Sequence, residues 1–371
     1  MQRIGITGQA GFIGTHLFNY LGLQDAVDRV IFEDEFFQDE NKLRTFVKNC
    51  DVIVHLAAMN RHNDPSVLYK TNIQLVQKLI QAMEREAVSP YVLFSSSTQE
   101  ERDNLYGRSK KEGRELFIQW AEKNGAKFIG LVIPNVFGPF GNPYYNSVIA
   151  TFSHQLTNNE VPKIETDGTL KLIYVGELVA KIWELIKEKR SENVYYIQST
   201  SEVKVSEILT LLSNYNIQYF KNNIIPQLPN RFELNLFNTY RSYINHSTHF
   251  PVLLNKHTDT RGSFVEIVRT TTGGQFSFSL THPDITRGDH FHTRKIERFA
   301  VISGEAVIKL RRIGTGKILH FNLNGEQPAF IDMPIWFTHN ITNVGSGELH
   351  TLFWTNEFFD PNDPDTFVEK V

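Results

Sequence analysis

Tyr106 and Lys110 stand four residues apart in Tyr106-Gly107-Arg108-Ser109-Lys110, a spacing that puts both side chains on one face of a helix. A lysine cation beside a phenol lowers the phenol pKa. The tyrosine can then exchange a proton with a carbonyl oxygen while a bound nicotinamide exchanges hydride with the carbon. The run Phe94-Ser95-Ser96-Ser97-Thr98 lies just upstream and offers a hydroxyl to polarise the same carbonyl. Nearer the N-terminus, Gly8-Gln9-Ala10-Gly11-Phe12-Ile13-Gly14 has the spacing that lets a backbone turn tightly against a pyrophosphate at the start of a helix. Leu56-Ala57-Ala58 supplies a small-residue strand end along which a cofactor can lie. Glu33 follows the glycines by about 20 residues, where an acid binds the adenosine ribose hydroxyls and repels a 2′-phosphate. Glu33-Asp34-Glu35 contains no arginine, so the local reading leans to NAD(H) over NADP(H).

A second group lies far downstream. His290-Phe291-His292 places two imidazoles on one face of a strand, because strand side chains alternate. Glu297 follows, and Pro334-Ile335-Trp336-Phe337-Thr338-His339 comes later, with Asn343 beyond it. Three neutral imidazoles and a carboxylate suit Zn²⁺, and also Mn, Fe or Ni; the donor set favours zinc modestly.

The surrounding pattern must position these groups. Ile4–Thr7, Val30–Glu33, Val52–Leu56, Val92–Ser95 and Phe128–Ile133 read as strands, and a helix is predicted over Phe12–Leu21. Strands alternating with helices imply βαβ units and a parallel sheet with helices on both faces. After about residue 255 short runs such as Ser263–Val268, Gln275–Leu280 and Ala306–Leu310 are broken by Gly, Pro, Asp and Asn, the signature of an antiparallel sandwich or barrel. The boundary is read at the aperiodic stretch Asn245–Pro251, giving domains over 1–245 and 250–371.

Composition excludes several classes. The chain has 371 residues, 41% apolar and 21% charged, with a formal net charge of -3, so nothing electrostatic points to nucleic acid. The lone Cys50 allows no intramolecular disulfide and no cysteine metal cluster. No apolar run approaches the roughly 18 residues of a membrane span, and no signal-peptide pattern opens the chain. A cytoplasmic enzyme is expected.

Gly8/Gly11/Gly14, His55-Leu56-Ala57-Ala58, Ser97, Tyr106, Lys110 and Pro134-Asn135-Val136-Phe137-Gly138-Pro139 resemble the extended short-chain dehydrogenase/reductases that act on nucleotide sugars. The resemblance covers about residues 1–245 and implies a doubly wound Rossmann-type α/β fold. It implies that Ser97, rather than Ser96, joins Tyr106 and Lys110 in catalysis. Gly8, Gly11, Phe12, Ile13, Gly14, Glu33, Leu56, Ala57 and Ala58, with Tyr106 and Lys110, would line the cofactor. Val132 stands where the family often has arginine, and Gly176 where it usually has an acid.

His290, His292, Glu297, Gly304 and His339 resemble the two cupin motifs, which imply an all-β barrel and a metal site. Trp336 replaces a usual glycine and is expected to crowd the barrel mouth. Asp259-Thr260-Arg261-Gly262 and Thr286-Arg287-Gly288-Asp289-His290 are also similar to the cupin deoxysugar 3,5-epimerases. That likeness makes Arg261 and Arg287 diphosphate ligands and His290 a base, in tension with His290 as a metal ligand.

Finally, the chain as a whole resembles the capsular-polysaccharide enzymes that fuse a nucleotide-sugar reductase to a cupin epimerase. The likeness includes Asn60-Arg61, Asn146–Phe152 and the tail Asn356–Thr366. It implies a UDP-linked 2-acetamido-2,6-dideoxy-4-hexulose as substrate, zinc, NADPH, a homodimer, and Asn135 and Asn146 as substrate ligands. C3 epimerisation followed by C4 reduction would give UDP-N-acetyl-6-deoxy-L-talosamine, on the way to UDP-N-acetyl-L-fucosamine. The alternative is a nucleotide-sugar reductase or 4-epimerase whose cupin is a non-catalytic, metal-stabilised dimerisation module.

Overall fold

Ile4-Gly5-Ile6-Thr7 is buried on both faces in the computed structural model, which describes residues 1–371. A strand flanked on both faces reads as continuous apolar sequence, and this one becomes the inner strand β1 (Gln2–Thr7). The strands that follow are β2 (Val27–Val30), β3 (Val52–His55), β4 (Tyr91–Ser97), β5 (Phe128–Ile133), β6 (Asn135–Phe137), β7 (Thr169–Tyr174), β8 (Glu192–Tyr196) and β9 (Ser201–Lys204). A six-stranded sheet runs in the order β2-β1-β3-β4-β5-β8, parallel throughout. The order reverses beside β1, which makes the crevice between β1 and β3 the switch point where doubly wound sheets bind ligands. β6, β7 and β9 form a small separate sheet.

The helices of this part are α1 (Phe12–Leu21), α2 (Glu40–Lys48), α3 (Pro65–Arg85), α4 (Leu105–Asn124) and α6 (Val175–Glu188), while α5 (Val148–Thr157) groups from Ile149 on with the later, β-rich unit. Asp39 and Asp64 cap α2 and α3 through side-chain oxygens, satisfying first-turn N–H groups. Much of the phenylalanine content is spent here. Phe32 packs on Phe46 at 4.7 Å, and Phe117 on Phe94 and Phe128 at 5.4 and 5.9 Å.

One strand differs from its expectation. β2 ends at Val30, so the predicted Val30–Glu33 strand lies mostly past it. Phe32 turns into the core, its N–H bonded to the Gln9 side chain, while Glu33 starts a short 3₁₀ turn over Asp34–Gln38. The apolar character of Phe32 came from packing under the sheet rather than from strand pairing.

The chain divides by contacts into Met1–Val148 with Thr166–Val205, and Ile149–Glu165 with Ser206–Val371. The helices α7 (Val205–Tyr215), α8 (Arg231–Arg241) and α9 (His246–His249) therefore fall largely with the β-rich unit, whereas the sequence set its boundary at 245–250. A buried network within that unit accounts for the grouping. Arg298 pairs with Asp332 at 2.7 Å, Tyr219 donates to the same carboxylate at 2.7 Å, and Arg241 donates to the Met333 carbonyl at 3.0 Å.

The β-rich unit contains β10 (Ile224–Ile225), β11 (Val252–Leu253), β12 (Lys256–Asp259), β13 (Gly262–Val265), β14 (Arg269–Thr270), β15 (Gln275–Thr281) and β16 (Thr286–Phe291). β17 (Glu297–Ser303), β18 (Glu305–Arg312), β19 (Ile318–Asn324), β20 (Ala329–Met333), β21 (Phe337–Asn343), β22 (Leu349–Thr355) and β23 (Phe367–Val368) complete it. Two five-stranded antiparallel sheets result, β11-β20-β17-β22-β15 and β19-β18-β21-β16-β23. The hairpin β12–β13 is a two-stranded sheet of its own.

Candidate active site and metal centre

The glycine loop is built as its chemistry requires. Gly8 takes φ +69, and a Cβ there would sit 2.8 Å from the Ala57 main-chain nitrogen. A Cβ on Gly14 would collide with the Gly8 carbonyl oxygen. α1 opens at Gly11 without a side-chain cap, leaving its first N–H groups, those of Phe12, Ile13 and Gly14, for a bound anion. Leu56 and Ala57 lie beside the loop, with the Leu56 N–H bonded to the Thr7 carbonyl at 3.1 Å and Ala58 next in line. Exposed Glu33 follows Phe32, which Gln9 ties to the same loop. The glycine cradle and free helix start fit a dinucleotide.

Ser97 ends β4, and its Oγ accepts from the Gln99 N–H at 3.2 Å, which leaves its own hydrogen for another acceptor. The Ser96 hydroxyl is committed instead to Glu100, whose carboxylate pairs with Arg114 at 2.7 Å. The two hydroxyls therefore have different partners. Tyr106 and Lys110 lie in the first turns of α4, and Gly107 between them packs so closely that a Cβ would collide with the Gln99 carbonyl. Lys110 is 4% exposed, and its Nζ lies 5.8 Å from the Tyr106 ring centroid.

The expected acidification of the phenol is not found. Burial pushes the Tyr106 phenol up to about 12 and the Lys110 ammonium down to about 8. The ammonium donates to the Ser95 carbonyl at 2.9 Å rather than to the phenol. Removal from water penalises both charged forms.

Asn135 extends past the same sheet edge, two residues beyond Ile133, which pairs with Ser97; its amide donates to the Lys171 carbonyl at 3.3 Å. Asn146 is exposed just before α5. Gly176 leaves room for the Tyr174 ring, 2.8 Å from where its Cβ would be, and Val132 is buried in β5.

In the β-rich unit, His290, His292, Glu297 and His339 converge, their donor atoms all within 4.8 Å of one another. His290 and His339 are cross-strand partners on β16 and β21. A bulge with Gly288 at φ +107 and Asp289 at φ 56 sets the register, and bulges of this kind re-aim side chains. Glu297 enters from the facing sheet, with Oε2 at 3.0 Å from His292 Nε2 and 3.3 Å from His339 Nε2. These three buried atoms make no aligned hydrogen bond despite those distances, so they point toward a shared interior position. Nδ1 of His292 and of His339 meet the carbonyls of Asp365 and Phe337, which reserves each Nε2 lone pair for a ligand. Burial lowers His290 to about 4. Burial alone would raise Glu297, yet the close approach of His292 and His339 outweighs it and holds the carboxyl well below its usual range. Orphaned, buried nitrogens around a carboxylate fit a divalent metal ion.

Trp336 does not stand open at the site. It is buried and stacked on Phe291 at 5.5 Å, and its φ of +61 shows why glycine suits that position. Asn343 and Gly304 serve turns: Asn343 donates to Thr281 and Gly347, and Gly304 has φ +87. Arg287 is exposed on β16, and Arg261 is exposed on the β12–β13 hairpin and pairs with Asp259 at 2.6 Å. Arg261 is thus held by its own hairpin.

Two positioning residues escaped the sequence reading. Asn72, buried in α3, accepts from the Met59 N–H at 2.7 Å and donates to Ser109 on α4 at 3.0 Å, tying the loop after β3 to the helix that carries Tyr106 and Lys110. A polar residue in the apolar stripe Leu68, Ile73, Val76 was its only sequence signal. Asp365 lies in the tail whose likeness was noted as a whole.

Residues 4–197 match the NAD dependent epimerase/dehydratase family, and residues 257–367 match the polysaccharide biosynthesis C-terminal domain. The chain is 32% identical over 372 residues to UDP-2-acetamido-2,6-beta-L-arabino-hexul-4-ose reductase of Pseudomonas aeruginosa, covering 100% of this chain and 99% of that protein. The crystal structure of the capsular polysaccharide assembling protein CapF from Staphylococcus aureus is similar along 100% of both chains, with a TM-score of 0.64 and 35% identity. The spore coat polysaccharide biosynthesis protein SpsL of Bacillus subtilis is 25% identical over 122 residues, 30% of this chain and 81% of that one. No helix is long and apolar enough to cross a membrane. With residues 4–197, more than half of its length, matched by the family and a relative 32% identical along the whole chain, this chain belongs to the NAD dependent epimerase/dehydratase family.

Proposed function

We propose that the α/β unit reduces the C4 ketone of a UDP-linked 2-acetamido-2,6-dideoxy-4-hexulose with NAD(P)H, and that the β-rich unit, a zinc cupin, inverts C3 of that sugar beforehand. The product would be UDP-N-acetyl-6-deoxy-L-talosamine, on a cytoplasmic route to UDP-N-acetyl-L-fucosamine for capsule or O-antigen. The observation that carries this reading is the full-length likeness to a protein named as a UDP-4-keto-sugar reductase, a coverage that includes both the Tyr106 and the His290 regions.

The residues divide the work. The N–H groups opening α1 receive the cofactor diphosphate, and Glu33 faces the adenosine ribose. When bound, the nicotinamide supplies the hydride to C4. Tyr106 gives its proton to the C4 oxygen, and Ser97 donates a hydrogen bond to that oxygen as charge develops on it. Lys110 contributes a nearby positive charge. In the β-rich unit the C4 ketone makes the C3 proton acidic, and a bound metal supplies positive charge that favours its removal. His290 then serves as a ligand with His292, Glu297 and His339, which leaves the C3 base to another group. Asn135, Asn146, Arg261 and Arg287 are assigned to substrate.

The second reading, a reductase whose β-rich unit only stabilises a homodimer, is favoured by the edge strand β15, where Phe276, Phe278 and Leu280 are 60%, 57% and 37% exposed on one face. A homodimer fits both readings. Incubation with the UDP-4-keto sugar and reduced cofactor tests the reductase. Stoichiometric cofactor oxidation and a new C4 hydroxyl are expected; a ketone that persists at C4 with the reduced cofactor unconsumed would overturn the reductase.

A further inference from the structure

We propose that Asp365 is a positioning residue of the metal centre. Its buried carboxylate anchors the turn after β16, and its own main-chain carbonyl thereby fixes the orientation and tautomer of His292. The inference rests on the metal reading above and adds to it a component from the C-terminal tail.

The contacts form a closed loop. The Asp365 carboxylate accepts from the Thr293 N–H at 3.1 Å, the Thr293 hydroxyl at 2.6 Å, the Arg294 N–H at 3.0 Å and the Lys295 N–H at 2.9 Å. Those residues follow His292 directly. The Asp365 carbonyl faces His292 Nδ1. A neutral imidazole carries its proton on one nitrogen, so a carbonyl at Nδ1 leaves Nε2 as the ligand atom. Nε2 is the atom turned toward Glu297 at 3.0 Å.

The backbone shows that this carbonyl is held rather than resting. Asp365 has φ 41, in the left-handed region, where a non-glycine residue carries a cost of order 1–3 kcal/mol unless its surroundings impose the conformation. Here the surroundings do so. The residue is 4% exposed, with four donors on its carboxylate, and the Pro364 carbonyl before it accepts from the Lys295 ammonium. Two residues on, β23 pairs with β16 so that Val368 lies opposite His290. The tail therefore touches the strand of one ligand and the ring of another.

The test compares Asp365→Ala with Asp363→Ala in the full chain. Asp363 lies in the same tail and pairs with the partly exposed Arg294 at 2.9 Å, away from His292. The readouts are zinc affinity by chelator competition and the visible spectrum of the cobalt-substituted protein. Asp365→Ala should weaken zinc binding about 10–100-fold, the usual size of an outer-shell effect, and alter the cobalt bands; Asp363→Ala should change neither. Equal affinity in parent and Asp365→Ala, or an equal loss in Asp363→Ala, overturns the proposal. Should Asp365→Ala fail to fold, Asp365→Asn tolerates the left-handed backbone but turns an NH₂ toward N–H donors. A weakened site supports the proposal in that variant, and an unchanged one overturns it. A parent chain that binds no metal would overturn the metal reading itself, a result distinct from tight binding that ignores Asp365.

Discussion

Lys110 and Tyr106 share a helix face, but the Lys110 ammonium is spent on the Ser95 carbonyl at 2.9 Å and reaches the Tyr106 ring only at 5.8 Å from its centroid. The tyrosine is therefore a well-protonated acid, pushed up to about 12 by burial, and the lysine is the group that titrates near neutrality, at about 8. For a reductase this is the useful state, since the tyrosine must give a proton away. The sign for the lysine follows from its lowered pKa: it is charged below about 8 and neutral above it. The kcat/KM for ketone reduction should accordingly fall as pH rises through about 8, in a pH profile of the wild-type enzyme. A profile flat to pH 10 would contradict the assignment.

Tyr106→Phe should lower kcat by about 10²–10⁴-fold while leaving reduced-cofactor binding intact. Stopped-flow cofactor oxidation alongside fluorescence titration separates the two effects.

Ser97 and Ser96 should behave differently. Ser97→Ala should lower kcat with little change in melting temperature. Ser96→Ala should leave kcat largely unchanged, because its hydroxyl serves Glu100. Arg114→Met strands Glu100, 9% exposed, and should cost about 3–5 kcal/mol of stability in denaturant titration.

The cofactor choice turns on Glu33, exposed beside the glycine loop. NADH should bind more tightly than NADPH, and Glu33→Ala should narrow the gap by weakening repulsion of the 2′-phosphate. Isothermal titration of the two cofactors against both proteins measures this; a parent that prefers NADPH as strongly as the variant does would remove Glu33 from the selection.

Both sites were legible because their chemistry is written in local spacing. Gly8, Gly11 and Gly14 lie within seven residues at the start of α1, Tyr106 and Lys110 four apart on α4, and His290 and His292 two apart at the end of β16. The second strand was misplaced because Phe32 is apolar for core packing, not for pairing. Asp365 was missed as a site residue because it meets His292 across 73 residues of chain, and no periodicity reports such a contact. The grouping of α8 with the β-rich unit was equally hidden. It depends on Arg298, Asp332, Tyr219 and Arg241, polar residues that read as surface until they are seen paired in a core.

That buried network makes its own prediction. Asp332→Ala leaves Arg298, 1% exposed, without its carboxylate and should destabilise the unit by about 3–5 kcal/mol. The Asp332 carboxyl is held below its usual range: burial opposes this, but the charge and hydrogen bonds of Arg298 outweigh it. A depressed folded-state pKa gives stability that is present above the unfolded value of about 3.9 and is lost as pH falls below it. Acid melts of parent and Asp332→Ala should converge in that range.

The central claim is that the chain carries two coupled activities on one sugar. It is tested most directly by incubating the zinc-loaded enzyme with the UDP-4-keto sugar in D₂O without cofactor and following C3 by NMR, with His292→Ala/His339→Ala as the comparison. The account predicts deuterium at C3 in the parent, none above background in the metal-site variant, and a reduced, C3-deuterated product once NADH or NADPH is added. Exchange that proceeds equally in the metal-site variant, or reduction without any C3 exchange, would contradict it.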